Sequence, residues 1–201
     1  MLDLVLFKPN DALKNISGRL NLTELLACSA FKSVDEANDL INDFRQSGIH
    51  AIPCNLLNEG RFVQGMLNAF NCFNVSQAKQ AVDSKAGLLL LRDSKAIDTG
   101  IIRLAAERKK AIALLFADLL SESREFQPIA LRQWMFVARL CRHYDASLLV
   151  FSGANSLMGL RSMHDLKTIY YLLGYSREQA GRLSVNAEEI LGLKEIQGVK
   201  E

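Results

Sequence analysis

Short apolar runs alternate along the chain with longer segments in which apolar residues recur every three or four positions. The clearest run is 86–91, where four consecutive leucines are typical of a strand buried on both faces of a parallel sheet. Eight runs are predicted as strands: 2–7, 24–31, 49–56, 70–75, 86–91, 111–116, 148–151 and 180–183. The last of these runs is brief, and the first ends at a Lys-Pro-Asn sequence that favours a loop.

Segments with helical periodicity separate the predicted strands. Ser33 with Glu36 three residues later has the spacing of a capping box, and Pro128 suits the first turn of a helix. The predicted helices are 11–20, Ser33 to Gly48, 61–68, 76–84, Asp98 or Thr99 to Lys109, 128–144, one closed by Leu173-Gly174, and a last one opened by Asn186.

Strict alternation of strands and helices predicts an α/β protein with a parallel sheet, because each crossover between parallel strands passes through a helix. Eight units within 201 residues correspond to the lower size limit of a (β/α)8 TIM-like barrel. We therefore predict a single barrel domain over residues 1–201. An open, doubly wound sheet of five or six strands is the alternative.

The composition is that of an ordinary soluble globular protein, with 49% apolar and 23% charged residues. No apolar run approaches the roughly 20 residues that span a bilayer, and the N-terminal residues lack a signal-peptide pattern. We expect a cytoplasmic protein with no membrane contact. Four cysteines without CxxC spacing do not suit a zinc site and are expected to be buried and reduced.

The three histidines form no cluster that suits a metal-dependent hydrolase. His50 is placed at the start of a strand and His143 at the end of a helix, which is the lower face of a barrel, whereas barrel active sites lie at the upper, C-terminal face. His164 lies just inside a helix and has no neighbouring histidine in the sequence. No HxH or HExxH motif is present, so no metal site is predicted.

Two carboxylates follow neighbouring strands and are the remaining candidates for acid–base chemistry. Asp93 and Asp118 are expected at the upper face, where they suit either an acid and a base or ion pairs with Arg92 and Lys95. The sequence contains no GxSxG, GxGxxG or P-loop motif. The sequence therefore does not predict an independent enzyme. A free-standing metal-dependent hydrolase using Asp93, Asp118 and His164 is kept as the alternative.

Basic residues are concentrated in the middle of the chain, where residues 92–142 contain ten Lys or Arg against six Asp or Glu. Strand ends place Arg92, Lys95 and Arg161 on the upper face, and Lys109 and Lys110 on the lower face. A further set recurs at helical spacing and suits either a solvated helix face or an RNA-binding surface: Arg132, Phe136, Arg139 and His143.

The segment 147–191 carries a series of short motifs: Ser152-Gly153-Ala154, Leu160-Arg161-Ser162, Asp165-Leu166, Leu172-Leu173-Gly174, Ala180, Leu183-Ser184 and Asn186 to Leu191. This series resembles the C-terminal signature of archaeal ribonuclease P protein component 3. That family is a (β/α)8 barrel related in fold to the polymerase-and-histidinol-phosphatase metal hydrolases, and it has lost their metal ligands.

The resemblance implies a non-catalytic subunit of an endoribonuclease. Family members bind and support the catalytic RNA that removes the 5′ leader from precursor tRNA. They act with protein component 2, as a heterotetramer of two heterodimers, and with other protein subunits. No cofactor is expected on the protein itself, since Mg²⁺ is bound with the RNA.

The resemblance also indicates which residues contact RNA. Arg161 matches a basic position in the loop after strand seven, and Lys109 or Lys110 matches a basic position before strand six. Arg92 and Lys95 occupy the basic loop after strand five. The complete set predicted to bind RNA is Arg92, Lys95, Lys109, Lys110, Arg132, Arg139, Ser152 and Arg161.

Overall fold

Seven parallel strands form one sheet in the computed structural model, which describes residues 2–10, 12–20, 22, 24–58 and 61–193. The strands are β1 (Leu2–Val5), β2 (Glu24–Ser29), β3 (His50–Leu56), β4 (Leu67–Cys72), β5 (Leu88–Leu91), β6 (Ala111–Leu115) and β7 (Leu148–Phe151). The helices are α1 (Leu13–Leu20), α2 (Val34–Gln46), α3 (Val75–Asp83), α4 (Thr99–Glu107), α5 (Phe116–Ser121), α6 (Gln127–Tyr144), α7 (Met163–Leu172), α8 (Arg177–Val185) and α9 (Ala187–Ile190). Each strand pairs in parallel with the next one in the sequence.

The sheet curls until the end of β7 reaches β1, so the barrel is nearly closed. Val5 and Ala154 form a parallel bridge, and the Leu6 N–H donates to the Ala154 carbonyl at 2.7 Å. The TIM-like barrel is thereby confirmed, and the alternative of an open, doubly wound sheet is wrong.

Alternate side chains of the strands meet inside the barrel in one apolar cluster, which runs from Leu2 and Leu4 of β1 to Leu149 and Phe151 of β7. Ala187 of α9 and the two leucines that follow it, Leu191 and Leu193, belong to the same cluster. The C-terminal helical segment therefore fills part of the barrel interior. The four cysteines are buried and free, as expected, and no helix in the described ranges is long and apolar enough to cross a membrane.

The predicted eighth strand at 180–183 is wrong, because these residues lie inside α8. The Ser176 hydroxyl accepts the Gln179 N–H at 3.2 Å, and the Gln179 side chain accepts the Ser176 N–H at 3.0 Å. This capping box starts a helix whose Ala180 is fully buried. The described residues therefore contain seven strands, and the chain after β7 forms helices α7, α8 and α9.

The predicted helix at 61–68 is also wrong, and β4 begins at Leu67 rather than at residue 70. The connection before β4 is held by two buried amides instead. Asn68 Nδ2 donates to the carbonyls of Val63 at 3.0 Å and Met66 at 2.9 Å, and Asn55 Nδ2 donates to the Arg61 carbonyl at 2.8 Å. Because these side chains satisfy the backbone, the crossover needs no helix. Helix α5, which follows β6 directly, was not predicted.

Candidate nucleic-acid interface

Arg92 follows β5 directly and lies at the upper face of the barrel. It lies two residues beyond Leu90, whose side chain faces the interior, so the Arg92 side chain also points toward the barrel axis. Its guanidinium donates to both oxygens of the Asp118 carboxylate, at 2.7 Å from Nε and 2.8 Å from Nη2, and Nη1 donates to Asn71 Oδ1 at 3.2 Å. The polar groups at this end of the barrel therefore bind one another.

Burial dominates the electrostatics of this cluster. The Arg92 and Asp118 side chains are only 19% and 20% exposed. Burial raises the pKa of Asp118 above its ordinary value, although the hydrogen bonds and charge of Arg92 act in the opposite direction. Inside the barrel, burial and the neighbouring Cys54 raise the pKa of the Cys28 thiol, and the charge of Arg92 again opposes that change. Asp118 therefore serves as the acceptor for Arg92.

The other groups of the hydrolase alternative are not assembled into a site. Asp93 Oδ1 accepts the Lys95 N–H at 2.8 Å and the Ser94 hydroxyl at 3.2 Å, which caps a single helical turn. Asp93 and Asp118 line a cavity of about 40 Å³ to which His164 does not contribute. Within the described part of the chain, no group of three or more His, Cys, Asp or Glu is placed to hold a metal ion.

Arg161 lies on the upper face as predicted, in the loop between β7 and α7. Its Nη1 donates to the carbonyls of Met158 at 3.0 Å and Leu160 at 2.8 Å, and the guanidinium carbon lies 5.6 Å from the centre of the Phe116 ring. The side chain is thereby held in one orientation while remaining partly exposed. Ser152 is only 1% exposed; it bonds to β1 and to its own loop, and its carbonyl accepts the Ala117 N–H of α5 at 2.9 Å.

The two lysines on the lower face have different environments. Lys110 Nζ donates to the carbonyls of Ser84 at 2.6 Å and Ala86 at 2.7 Å, and to that of Ala81 at 3.3 Å. Burial and then the charge of Arg108 lower the pKa of Lys110. Lys110 therefore secures the end of α3. Lys109 is exposed and has a left-handed backbone with φ of 53°.

The predicted basic stripe on α6 is exposed, and beside its predicted member Phe136 it contains a second exposed apolar residue, Ile129, which the sequence analysis did not single out. Arg132 and Arg139 are exposed, and the guanidinium carbon of Arg139 lies 5.4 Å from the centre of the Phe136 ring. Ile129 is 49% exposed and Phe136 38% exposed. Their spacing of seven residues places both on one side of the helix, a signal that was available in the sequence.

A cavity of about 560 Å³ lies between α6, α8 and α9, beside the start of β7. It is lined by Arg182 and by Arg142, which donates to the Leu173 carbonyl at 3.0 Å and lies 4.7 Å from the centre of the Tyr175 ring. The cavity lies at the N-terminal end of β7. Barrel enzymes carry their catalytic groups at the C-terminal ends of the strands, so this is not the position of a barrel active site.

Comparison of the sequence with protein-family models and with curated proteins finds no match. The fold is similar to that of a chain in the cryo-EM structure of archaeal ribonuclease P with mature tRNA, with a TM-score of 0.81 and 13% identity, over 96% of this chain and 90% of that chain. It is also similar to a probable 2-pyrone-4,6-dicarboxylic acid hydrolase from Acinetobacter baumannii, solved with citric acid bound, with a TM-score of 0.58 and 8% identity, over 95% and 98%. At these identities the comparisons establish the fold.

Proposed function

We propose that this chain is a non-catalytic protein subunit of ribonuclease P. In this role it binds and supports the catalytic RNA that removes the 5′ leader from precursor tRNA. The observation that carries the proposal is the fold shared over 96% of the chain with a chain of archaeal ribonuclease P. The motif series from Ser152 to Leu191, which resembles protein component 3 of that enzyme, supports it independently.

The hydrogen bonds among the polar groups at the upper face support a non-catalytic role. Barrel enzymes place their reacting groups at this end, but here Arg92, Asp118 and Asn71 satisfy one another. The chemistry is then left to the RNA and its bound Mg²⁺. The protein contributes contacts that position the RNA.

Exposed cations supply these contacts on two surfaces. Lys95 and the partly exposed Arg161 lie on the upper face, and Arg132 and Arg139 lie on α6. A formal net charge of only +2 limits the number of phosphates that the chain neutralises by itself. RNA affinity therefore depends on assembly with protein component 2, as two heterodimers, and with the other subunits.

Reconstitution tests the proposal. The catalytic RNA, component 2 and the remaining protein subunits are assembled with and without this chain, and cleavage of precursor tRNA is measured. We expect the chain to stimulate cleavage, and the isolated chain to show no metal-dependent phosphoesterase activity. Absence of stimulation would contradict the proposal, and hydrolysis by the isolated chain would favour the hydrolase alternative.

Arg161→Ala tests the upper face. Loss of one phosphate contact should weaken RNA binding and reduce the slope of log affinity against log salt by about one. Arg45→Ala is the matched control, because Arg45 is exposed near the end of α2, away from the predicted RNA-binding residues. Equal salt slopes for the two variants would exclude Arg161 as a phosphate contact.

A further inference from the structure

A carboxylate joins the two strands at which the barrel closes. The bridge that joins the two ends of the sheet pairs Val5 of β1 with Ala154, which lies just beyond the end of β7. One step earlier, Asp3 Oδ1 accepts the Ser152 N–H at 2.7 Å and the Leu4 N–H at 2.8 Å. Asp3 and Ser152 are 149 residues apart in the sequence. A side chain therefore makes the contact that a neighbouring backbone carbonyl makes elsewhere in a sheet.

The second oxygen of this carboxylate has no such contact. Asp3 is 0% exposed, and its Oδ2 has no hydrogen-bond partner. Burial raises the pKa of Asp3 to about 6, while hydrogen bonds from Ser152 and Leu4 and the charge of Arg161 oppose the shift. The carboxyl group thus changes its charge close to neutral pH.

The contact fixes the start of the loop that carries Arg161. Ser152 Oγ accepts the Ala154 N–H at 3.2 Å and donates to the Leu4 carbonyl at 3.4 Å. Gly153 has a left-handed φ of 62°, and a Cβ added there would lie 2.7 Å from Leu115 Cβ. The backbone at 152–154 therefore has one tightly packed conformation, which sets the direction in which the loop leaves the barrel.

We propose that Asp3 is a positioning residue that holds the loop from Ser152 to Arg161, and with it the Arg161 guanidinium, on the upper face. The Ser152 amide is the point of attachment. Protonation keeps the Oδ1 acceptor because Oδ2 is free to take the proton, so the attachment does not depend on the charge of Asp3. That RNA is the ligand of Arg161 rests on the proposed function. The attachment of the loop to Asp3 does not rest on it.

The attachment is tested by NMR of the full chain, through hydrogen exchange and pH titration of the Ser152 amide. In the wild type we expect slow exchange and a shift that titrates near pH 6. Asp3→Asn retains the acceptor, so the amide stays protected but its titration disappears, whereas Asp3→Ala should speed exchange about tenfold or more. Asp93→Asn, which alters the cap of an exposed turn after β5, is the control and should leave Ser152 unchanged. Equal protection in Asp3→Ala and wild type, or a titration that persists in Asp3→Asn, would overturn the proposal.

RNA binding supplies the second measurement. The binding is measured at pH 7.5 with component 2 present. Asp3→Ala loses the attachment of the loop, so it should bind the catalytic RNA several-fold more weakly than Asp3→Asn, which keeps the Oδ1 acceptor. Equal affinities of Asp3→Ala and Asp3→Asn would contradict the role of Asp3. Absence of RNA binding by the wild type with component 2 present would refute the proposed function, and the Ser152 amide would still decide the attachment.

Discussion

Replacing Asp118 by alanine tests how strongly the stability of the barrel depends on the ion pair between Arg92 and Asp118. The change removes two hydrogen bonds of 2.7 and 2.8 Å and leaves Arg92 with Asn71 Oδ1 as its remaining acceptor in this cluster. Removing one partner of a buried pair costs about 3–5 kcal/mol. Because the Arg92 side chain is 19% exposed and water can partly solvate it, we expect a loss of about 2–3 kcal/mol.

The matched control removes the same atoms from an exposed pair. Asp83 lies 2.6 Å from Arg108 Nη1, but the two side chains are 55% and 45% exposed. Asp83→Ala should therefore cost less than about 1 kcal/mol. A second comparison combines Arg92→Met with Asp118→Leu. Since burial raises the pKa of Asp118 in spite of Arg92, removing both charges together should cost less than removing Asp118 alone.

Urea unfolding measures these differences through the fluorescence of Trp134, the single tryptophan, which is 7% exposed. Each variant is compared by its midpoint at an unchanged m-value. If Asp118→Ala loses no more stability than Asp83→Ala, the burial argument is refuted. The argument is also refuted if the combination of Arg92→Met with Asp118→Leu is as unstable as Asp118→Ala alone.

Three further predictions use the same unfolding assay. Burial raises the pKa of Asp3 from an ordinary 3.8 to about 6, so the wild type should lose about 2.4 kcal/mol of stability relative to Asp3→Asn as pH rises from 4 to 7; parallel pH profiles of the two proteins would contradict it. Gly153→Ala should cost about 2–3 kcal/mol because its Cβ has no room, whereas Gly65→Ala, with φ of 82° but open space, should cost about 1 kcal/mol; equal losses would show that packing at 153 is unimportant. Lys110→Met should lower the stability by about 1–2 kcal/mol, because it leaves the carbonyls of Ser84 and Ala86 without their lysine donor. Lys109→Met, at an exposed position, should lower it by less than about 0.5 kcal/mol. A larger loss for Lys109→Met would contradict the role of Lys110 at the end of α3.

The sequence predicted the position of a candidate residue wherever the direction of the chain decides that position. A residue that follows a parallel strand must lie at the C-terminal edge, so Arg92, Lys95 and Arg161 were placed correctly on the upper face. Ion pairs of Asp93 and Asp118 with Arg92 and Lys95 were one of the two alternatives that the sequence left open, and the pair that forms, Arg92 with Asp118, depends on how β5 and β6 pack side by side. The partners of Lys110 at the end of α3 were not predictable, because they lie 24 to 29 positions away in the sequence.

Local pattern by itself determined the alternating elements, the parallel sheet and the barrel class, because helical and strand periodicities and caps are properties of neighbouring residues. Only the tertiary structure decided that the seven strands of the described residues nearly close the barrel, that residues 180–183 lie in a helix, and that two asparagines hold the connection before β4 where a helix was predicted. These outcomes depend on contacts between residues distant in the sequence. The clearest is the contact of Asp3 with Ser152, which no local pattern of the chain encodes.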